Sequence, residues 1–453
     1  MRKYKIEKLH IRKKTLPQLL TYYIFLVPFA FGFLLDLLSL PSFVKYTIDV
    51  AWVGLIILTV RRKKMCFNRK ILPFVVVVSV FFIYALFGYL FHFQSVAYFL
   101  WGFRNNFRFF VAFFAFATFF DEYDTAACLR ILDSLFWINV VLSLIQFFLL
   151  GYEQDFLGGI FGVERGSNAY STVFFSIVLS KSILSMMNGT EKLLSCMLKC
   201  AAALMTAVLA ELFAFFLIFA VILVTATVLT KFSWKKCLLY VTMGLALSIC
   251  SMYLVELFGA GSAISLDVIY KRLLSANYAT SDDLGRLTAI PIISKRFLTD
   301  LPGQLFGLGL GNCDTSTFEI CNTPFFKSHE RLHYTWFMSA FLYLETGYVG
   351  LAIYLGFFVM SFIVAVRKIR SSGNLLHHQL AAVMSILCVI FTFYNSSLRT
   401  EAGYMVYFSL ALPFIRPSVS KLKSGNEDSS LTEKTATEIA PVVENESLPA
   451  AKP

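Results

Sequence analysis

Apolar residues in this chain come in blocks of about 17–24, the length a helix needs to cross the hydrocarbon core of a membrane. Twelve blocks are read, over roughly 18–38, 43–60, 71–91, 104–120, 131–150, 170–187, 193–209, 212–230, 237–257, 337–366, 378–397 and 401–416. The strand-period alternation of an outer-membrane barrel is absent. The pattern predicts an all-α polytopic membrane protein of about twelve transmembrane helices. The seventh and eighth blocks nearly touch at Ala210-Glu211, where a tight turn or a broken helix is expected, and the tenth can begin as a short interfacial helix.

Lysine and arginine orient these blocks. Arg2, Lys3, Lys5, Lys8, Arg12, Lys13 and Lys14 precede the first block, and Arg61, Arg62, Lys63, Lys64, Arg69 and Lys70 separate the second from the third. Lys231, Lys235 and Lys236 follow the eighth, and Arg367, Lys368 and Arg370 follow the tenth. With twelve spans all four clusters fall on one side, which the positive-inside rule makes cytoplasmic. The expected organisation is a basic N-terminus (1–17), nine spans (18–257), a large extracellular loop between spans nine and ten (258–336), three further spans (337–416) and a tail (417–453). The first span reads as a signal anchor, because no small-residue cleavage site follows the basic run. The tail is Ser, Thr, Glu, Lys and Pro with almost no aromatics, and disorder in the cytoplasm is expected of it. Both termini are then cytoplasmic, and no related halves of the transporter kind are visible.

Composition sharpens this picture. The chain is 58% hydrophobic and only 15% charged, with 49 Phe, against about a quarter charged in soluble domains. The net charge of +12 does not point to nucleic acid, since the basic residues sit in short clusters between apolar blocks. Seven of the nine cysteines lie in or beside spans and read as small apolar residues. Cys313 and Cys321 fall in the loop, where a disulfide and two thiols are both compatible with the spacing.

The chemistry collects on the loop side. Arg104 and Arg108 open span four, one turn apart on one face; Arg165 lies between spans five and six; Glu211 marks the turn between seven and eight; Arg286 lies in the loop; Arg399 and Glu401 lie between the last two spans. One such Arg can be a snorkelling side chain or a surface ion pair. Several on one side suit an anionic headgroup, which the planar guanidinium fork recognises bidentately, and a sugar-bearing pyrophosphate is an apt ligand. Charges gathered on one side, rather than at the midplane, argue against a transport path. The run Gly307-Leu308-Gly309-Leu310-Gly311-Asn312 lacks the Lys-Ser/Thr of a phosphate loop and reads as a flexible turn. His329 and His333 are spaced for a metal pair but no third ligand is evident, so no metal is expected. His333 is a candidate general base or an interfacial polar anchor. Glu345 lies in an apolar segment, where facing lipid is costly, so it should line a cavity or pair with an Arg.

Taken in order, Gly285-Arg286-Leu287, the 307–312 run, a His-bearing stretch, Glu345-Thr346-Gly347-Tyr348-Val349-Gly350-Leu351 and Asn395 to Glu401 resemble the O-antigen ligase and Wzy-type polysaccharide polymerase superfamily. The resemblance covers about residues 260–410; the first half matches in its span pattern. In the ligase pattern a His-Asn pair sits closer to the Glu-x-Gly element, and no Asn follows either histidine here, which favours polymerase over ligase.

The resemblance implies an inverting, metal-independent glycosyltransferase of the GT-C kind in a bacterial plasma membrane, needing no cofactor. It would join polyprenyl-pyrophosphate-linked oligosaccharide units, alongside a chain-length regulator and a flippase. Arg286, with Arg104, Arg108, Arg165 or Arg399, would hold the pyrophosphate, and His333 or Glu345 would orient or deprotonate the acceptor hydroxyl. The alternatives are a ligase using the same donor and a twelve-span transporter or flippase.

Overall fold

A computed structural model describes residues 14–38, 41–61, 70–231, 284–316, 318–369 and 375–415, with a few isolated positions between 234 and 244. Most of the ninth expected span, the first part of the long loop, the tail, and the basic residues up to Lys13, within 62–69, at 235–236 and at 370 lie outside the described residues.

Helix is the regular structure of the described residues, with no strand among them. The long elements are α1 (Leu16–Leu38), α2 (Thr47–Arg61), α3 (Leu72–Phe91), α4 (Val96–Phe119), α5 (Glu122–Phe148), α6 (Ser167–Met187), α7 (Leu193–Leu209) and α8 (Phe213–Leu229). Three short loop helices follow: α9 (Ala289–Arg296), α10 (Leu301–Phe306) and α11 (Pro324–His329). The last are α12 (Met338–Ile369), α13 (Leu375–Tyr394) and α14 (Ala402–Ala411), the latter continued by a 3₁₀ turn, Leu412–Phe414. Helices thus stand at eleven of the twelve expected positions. Five of them, α3, α5, α6, α12 and α13, are long and apolar enough to cross a membrane.

Two boundaries differ from expectation for one reason. Helix α4 starts at Val96 rather than near 104, so Arg104 and Arg108 lie in its interior. Helix α5 starts at Glu122 rather than near 131, behind a reciprocal cap in which Asp121 accepts from the Asp124 N–H and Asp124 from the Asp121 N–H. In both places polar residues interrupt the hydropathy but not the helix, because partners elsewhere satisfy them.

Contacts at the helix ends set their direction. Asp49, early in α2, meets Arg104 in α4, and Tyr170, early in α6, meets Glu401 just before α14. At the opposite end Gln18 and Tyr22 of α1 bond Asp124 of α5, and Gln379 of α13 bonds both Asn188, after α6, and the Leu229 carbonyl ending α8. Successive helices therefore alternate up and down. The α3–α4, α5–α6 and α7–α8 connections share one end, here called the loop end, with residues 284–337. The α7–α8 connection is the expected tight turn, with Glu211 at φ +51°.

Helix α6 is central and buried along most of its length, whereas α3 is peripheral. Val76, Val80, Ile83 and Phe87 of α3 are exposed, which suits a lipid-facing helix and would be a liability in water. Phenylalanine fills the interior by tilted and edge-to-face contacts, as where Phe74, Phe113, Phe357 and Phe414 meet with ring centres 5.0–5.7 Å apart.

Candidate functional site

The loop is fastened to the bundle through backbone, and the glycines explain how. Helix α12 is kinked at Gly347, whose φ of +62° and ψ of −167° lie in a region that essentially only glycine occupies. The kink leaves α12 carbonyls without helical donors, and the loop supplies them: Leu308 N–H donates to the Leu344 carbonyl and Gly309 N–H to that of Glu345, each at 2.9 Å. Tyr84 of α3 donates to the carbonyls of Thr346 (2.8 Å) and Leu305 (2.9 Å). Gly307, Gly309 and Gly311 all have positive φ, and a Cβ on Gly307 would lie 2.5 Å from the Glu345 carbonyl carbon. The glycine run expected as a flexible turn is instead a packed wedge between α12, α3 and α4.

The wedge delivers Asp314 into the bundle. Asp314 is 2% exposed, and its Oδ2 accepts from Arg399 Nη2 at 2.7 Å and from Asn105 Nδ2 at 2.8 Å. Asn105 Oδ1 in turn accepts from Arg104 Nη1 (2.6 Å), and Arg104 grips both oxygens of Asp49 at 2.9–3.1 Å. On the other side the Arg399 carbonyl accepts from Arg108 Nη2 (2.8 Å); Arg108 pairs with Glu401 at 3.4 Å, and Glu401 accepts from Tyr170 at 3.0 Å. One continuous polar chain, Asp49–Arg104–Asn105–Asp314–Arg399–Arg108–Glu401–Tyr170, thus crosses the loop end from α2 to α6. Burial alone would raise the Glu401 carboxyl, but the Arg108 guanidinium prevails and holds it below the usual carboxylate range. Three of the expected anion-binding arginines, Arg104, Arg108 and Arg399, therefore carry resident carboxylates.

Glu345 stands beside this chain. It is fully buried, Oε1 accepts from the Cys313 N–H at 3.1 Å, and Oε2 has no hydrogen-bond partner. Arg108 Nε and Arg399 Nε are likewise buried without partners. Unsatisfied polar atoms at such depth cost about 1–3 kcal/mol each.

Three guanidinium groups at this end lie on aromatic rings. Arg165 lies over Trp336 (5.6 Å), Arg286 over Phe337 (5.5 Å) and Arg399 over Phe341 (3.6 Å). Exposure falls among them, from 70% for the Arg165 side chain, through Arg286 of intermediate exposure, to 11% for Arg399. Arg286 also donates through Nε to the Tyr394 carbonyl at 3.1 Å and lies over the Tyr394 ring. Met338 N–H bonds the Asn395 carbonyl, so the start of α12, the end of α13 and Arg286 form one corner.

The two histidines are held apart. His329 is packed between Phe297 and Phe325, with Nδ1 3.1 Å from the Phe325 carbonyl. His333 takes a left-handed conformation (φ +50°) and stacks on Trp336 at 4.0 Å. It therefore belongs with Arg165 at the mouth, not with Glu345. Arg165 also lies 3.9 Å from Asp155, an exposed pair of little energetic weight. Cys313 and Cys321 are separate thiols, not a disulfide; burial pushes the Cys313 thiol well up, and the more exposed Cys321 rises less steeply for the same reason.

A second buried ionic group corrects the expectation that charge collects on one side. Toward the opposite end, Asp133 of α5 pairs with Lys181 of α6 and, at 3.0 Å, with Lys199 of α7; Lys199 also pairs with Glu191 at 2.9 Å. Lysines inside apolar blocks were a legible signal. Asp49, Asn105, Asp314 and Tyr170 were not: their partners lie 55, 209, 85 and 231 residues away in sequence.

Compared with known proteins, the chain matches no family model and no curated protein.

Proposed function

We propose that this chain polymerises polyprenyl-pyrophosphate-linked oligosaccharide repeat units at the outer face of a bacterial plasma membrane, as a metal-independent inverting glycosyltransferase. In this reading the loop end is extracytoplasmic and both termini are cytoplasmic. The observation that carries it is the set of ring-stacked guanidinium groups of falling exposure, Arg165, Arg286 and Arg399, at the same end as buried Glu345. The resemblance of residues 260–410 to the polymerase and ligase superfamily points the same way.

Glycosyl transfer from such a donor makes two demands. The acceptor hydroxyl must lose a proton as its oxygen bonds the anomeric carbon, and the pyrophosphate must accept the electron pair of the breaking C–O bond. Stacked guanidinium groups meet the second demand, since stacking fixes the plane while the in-plane N–H groups keep their donor capacity. The partnerless Oε2 of Glu345 meets the first, as acceptor for the hydroxyl proton. His333, at the mouth, would orient incoming sugar. The chain from Asp49 to Tyr170 holds Arg399 and Arg108 in place, so its carboxylates tune the site rather than bind glycan.

A transporter is the second reading, favoured by the Asp133–Lys181–Lys199–Glu191 group, which places buried charge toward the other end as well. Arg286→Ala separates the readings at the mouth. The polymerase reading expects loss of long-chain polymer by about a hundredfold to a thousandfold, the usual cost of one charge-stabilising donor, while single repeat units still reach the outer face. Normal long-chain polymer would remove Arg286 from the role assigned here.

A further inference from the structure

The long loop carries an apolar tip on a braced neck. The Asp314 carbonyl accepts from the Thr323 N–H at 3.3 Å and from Thr323 Oγ1 at 3.1 Å, so residues 314–323 close on themselves at the polar chain. Asn322 Oδ1 braces this neck by accepting from the Ser316 N–H (2.7 Å) and from Thr315 Oγ1 (3.1 Å). Beyond the brace stand Phe318, 45% exposed, and Ile320, 78% exposed. Their backbone is held from within. Phe318 N–H donates to Ser316 Oγ, Cys321 N–H to the Phe318 carbonyl and Asn322 N–H to the Glu319 carbonyl, all at 2.9–3.0 Å. A turn satisfied in this way leaves water at less cost than open backbone, because lipid offers no replacement partners.

The tip rests on the end of α2. The Phe318 ring lies 5.0 Å from Tyr46 and 6.0 Å from Trp101 of α4, whose Nε1 donates to the Thr315 carbonyl at 3.0 Å. Tyr46 closes a 3₁₀ turn, Ser42–Tyr46, that leads directly into α2. Val50, Val53 and Ile57 follow Tyr46 at helical spacing, and all three are exposed, an open apolar stripe that suits lipid. Helix α2 has 15 residues, about 22 Å of helix, against a hydrocarbon core of about 30 Å. Measured from Arg61, where the basic cluster marks the far interface, the core extends roughly 8 Å past Thr47. Tyr46 and the Phe318 ring packed on it therefore stand at lipid depth. Glu319, exposed on the tip, limits that depth, since its carboxylate belongs with the headgroups. Trp and Tyr are the side chains that gather at such an interface.

We infer that the Phe318–Ile320 tip of the long loop is embedded in the lipid interface at the loop end, beside α2 and α4. This surface makes no use of glycan chemistry and requires only that α2 span a membrane. The embedded tip moors the segment that carries Asp314, so the neck is held by the bundle on one side and by lipid on the other.

The test is photo-crosslinking of the full chain, in phosphatidylcholine proteoliposomes and in host membranes, with Ile320 replaced by a benzophenone amino acid and the products read by mass. The same replacement of Val53, on the open stripe of α2, is the reference for lipid contact. The expected product from position 320 is a phospholipid adduct in both membranes. Phe318→Ser should lower its yield about tenfold, the ratio set by withdrawing one large apolar side chain from lipid. Phe318→Leu should leave the yield unchanged, which separates lost insertion from a misfolded variant. A lipid adduct at 53 with none at 320 would overturn the inference and place the tip in water. A crosslink from 320 to a second copy of the chain, or to another protein of the host membrane, in place of lipid would overturn it in favour of a protein interface. No lipid adduct at either position would remove the premise that α2 spans, and the inference with it.

Discussion

Arg399→Ala should lose most of the folded protein's stability margin and all long-chain polymer. Arg399 is the hinge of the polar chain: its Nη2 meets Asp314, its carbonyl takes Arg108, and its guanidinium lies 3.6 Å above Phe341. Removing it strands an Asp314 carboxylate that is 2% exposed and left with Asn105 and the Thr315 N–H as donors. Breaking one side of a buried pair costs about 3–5 kcal/mol, which thermal unfolding in detergent would read directly. Asp314→Asn, which keeps the shape, should cost a similar amount by leaving Arg399 without its counter-charge. The paired change Arg399→Met with Asp314→Leu then separates structure from chemistry. Replacing both members of a buried pair by apolar groups is often close to neutral, so stability should largely return. Polymer should not, because the guanidinium itself is needed. Restored polymer in the double variant would make the pair purely structural and would leave Arg286 as the anion-binding group.

Gly347→Ala should be nearly as damaging for a different reason. At φ +62°, ψ −167°, an alanine costs about 1–3 kcal/mol in backbone strain alone. Its Cβ would also run into the Leu305 carbonyl and lie 2.6 Å from the Phe306 nitrogen. Relieving that collision means straightening α12 or lifting the loop, and either loses the bonds from Leu308, Gly309 and Tyr84. The expected total is about 3 kcal/mol or more, with Glu345 displaced from the Cys313 N–H. Gly356→Ala in the same helix is the control. Nothing lies within 4 Å of its Cβ position, so it should be neutral or stabilising by up to about 1 kcal/mol. A Gly347→Ala protein as stable as the Gly356→Ala protein would mean that the kink does not depend on glycine at 347.

What could be read in the chain follows a physical divide. Apolar length is a local property, and the helices at 72–91, 167–187 and 193–209 stand within three residues of where hydropathy puts them. Helix α4 was misread because Arg104, Asn105, Asn106 and Arg108 look like the end of a span. They are interior because Asp49 and Glu401 neutralise the two arginines and Asp314 accepts from Asn105, all from far along the chain. The glycine run was misjudged for the same reason. Positive φ at Gly307, Gly309 and Gly311 is a local property, but the close approach to Glu345 and Tyr98 that makes the run rigid is not. Glu345 was expected to pair or to line a cavity; it is buried beside Arg399 and Asp314 with one oxygen left over. Arg165 and His333 share the mouth through Trp336, whose part was not foreseen.

The resident carboxylates also refine how an anion would bind. Sequence suggested a bare cationic pocket, whereas Arg104, Arg108 and Arg399 each face an acid. A pyrophosphate arriving at Arg286 would meet guanidinium groups already held in fixed planes, so little side-chain entropy is lost on binding.

Deleting the gene in its host and resolving the cell-surface polysaccharide on a gel tests the central claim most directly. The polymerase account predicts loss of the long-chain ladder, with single repeat units still present on their lipid carrier at the outer face and the ladder restored by the wild-type gene but not by the Arg399→Met, Asp314→Leu double variant. An unchanged ladder, full-length polymer stranded on its carrier, or repeat units trapped on the cytoplasmic side would each contradict it, the last two in favour of a ligase and a transporter respectively.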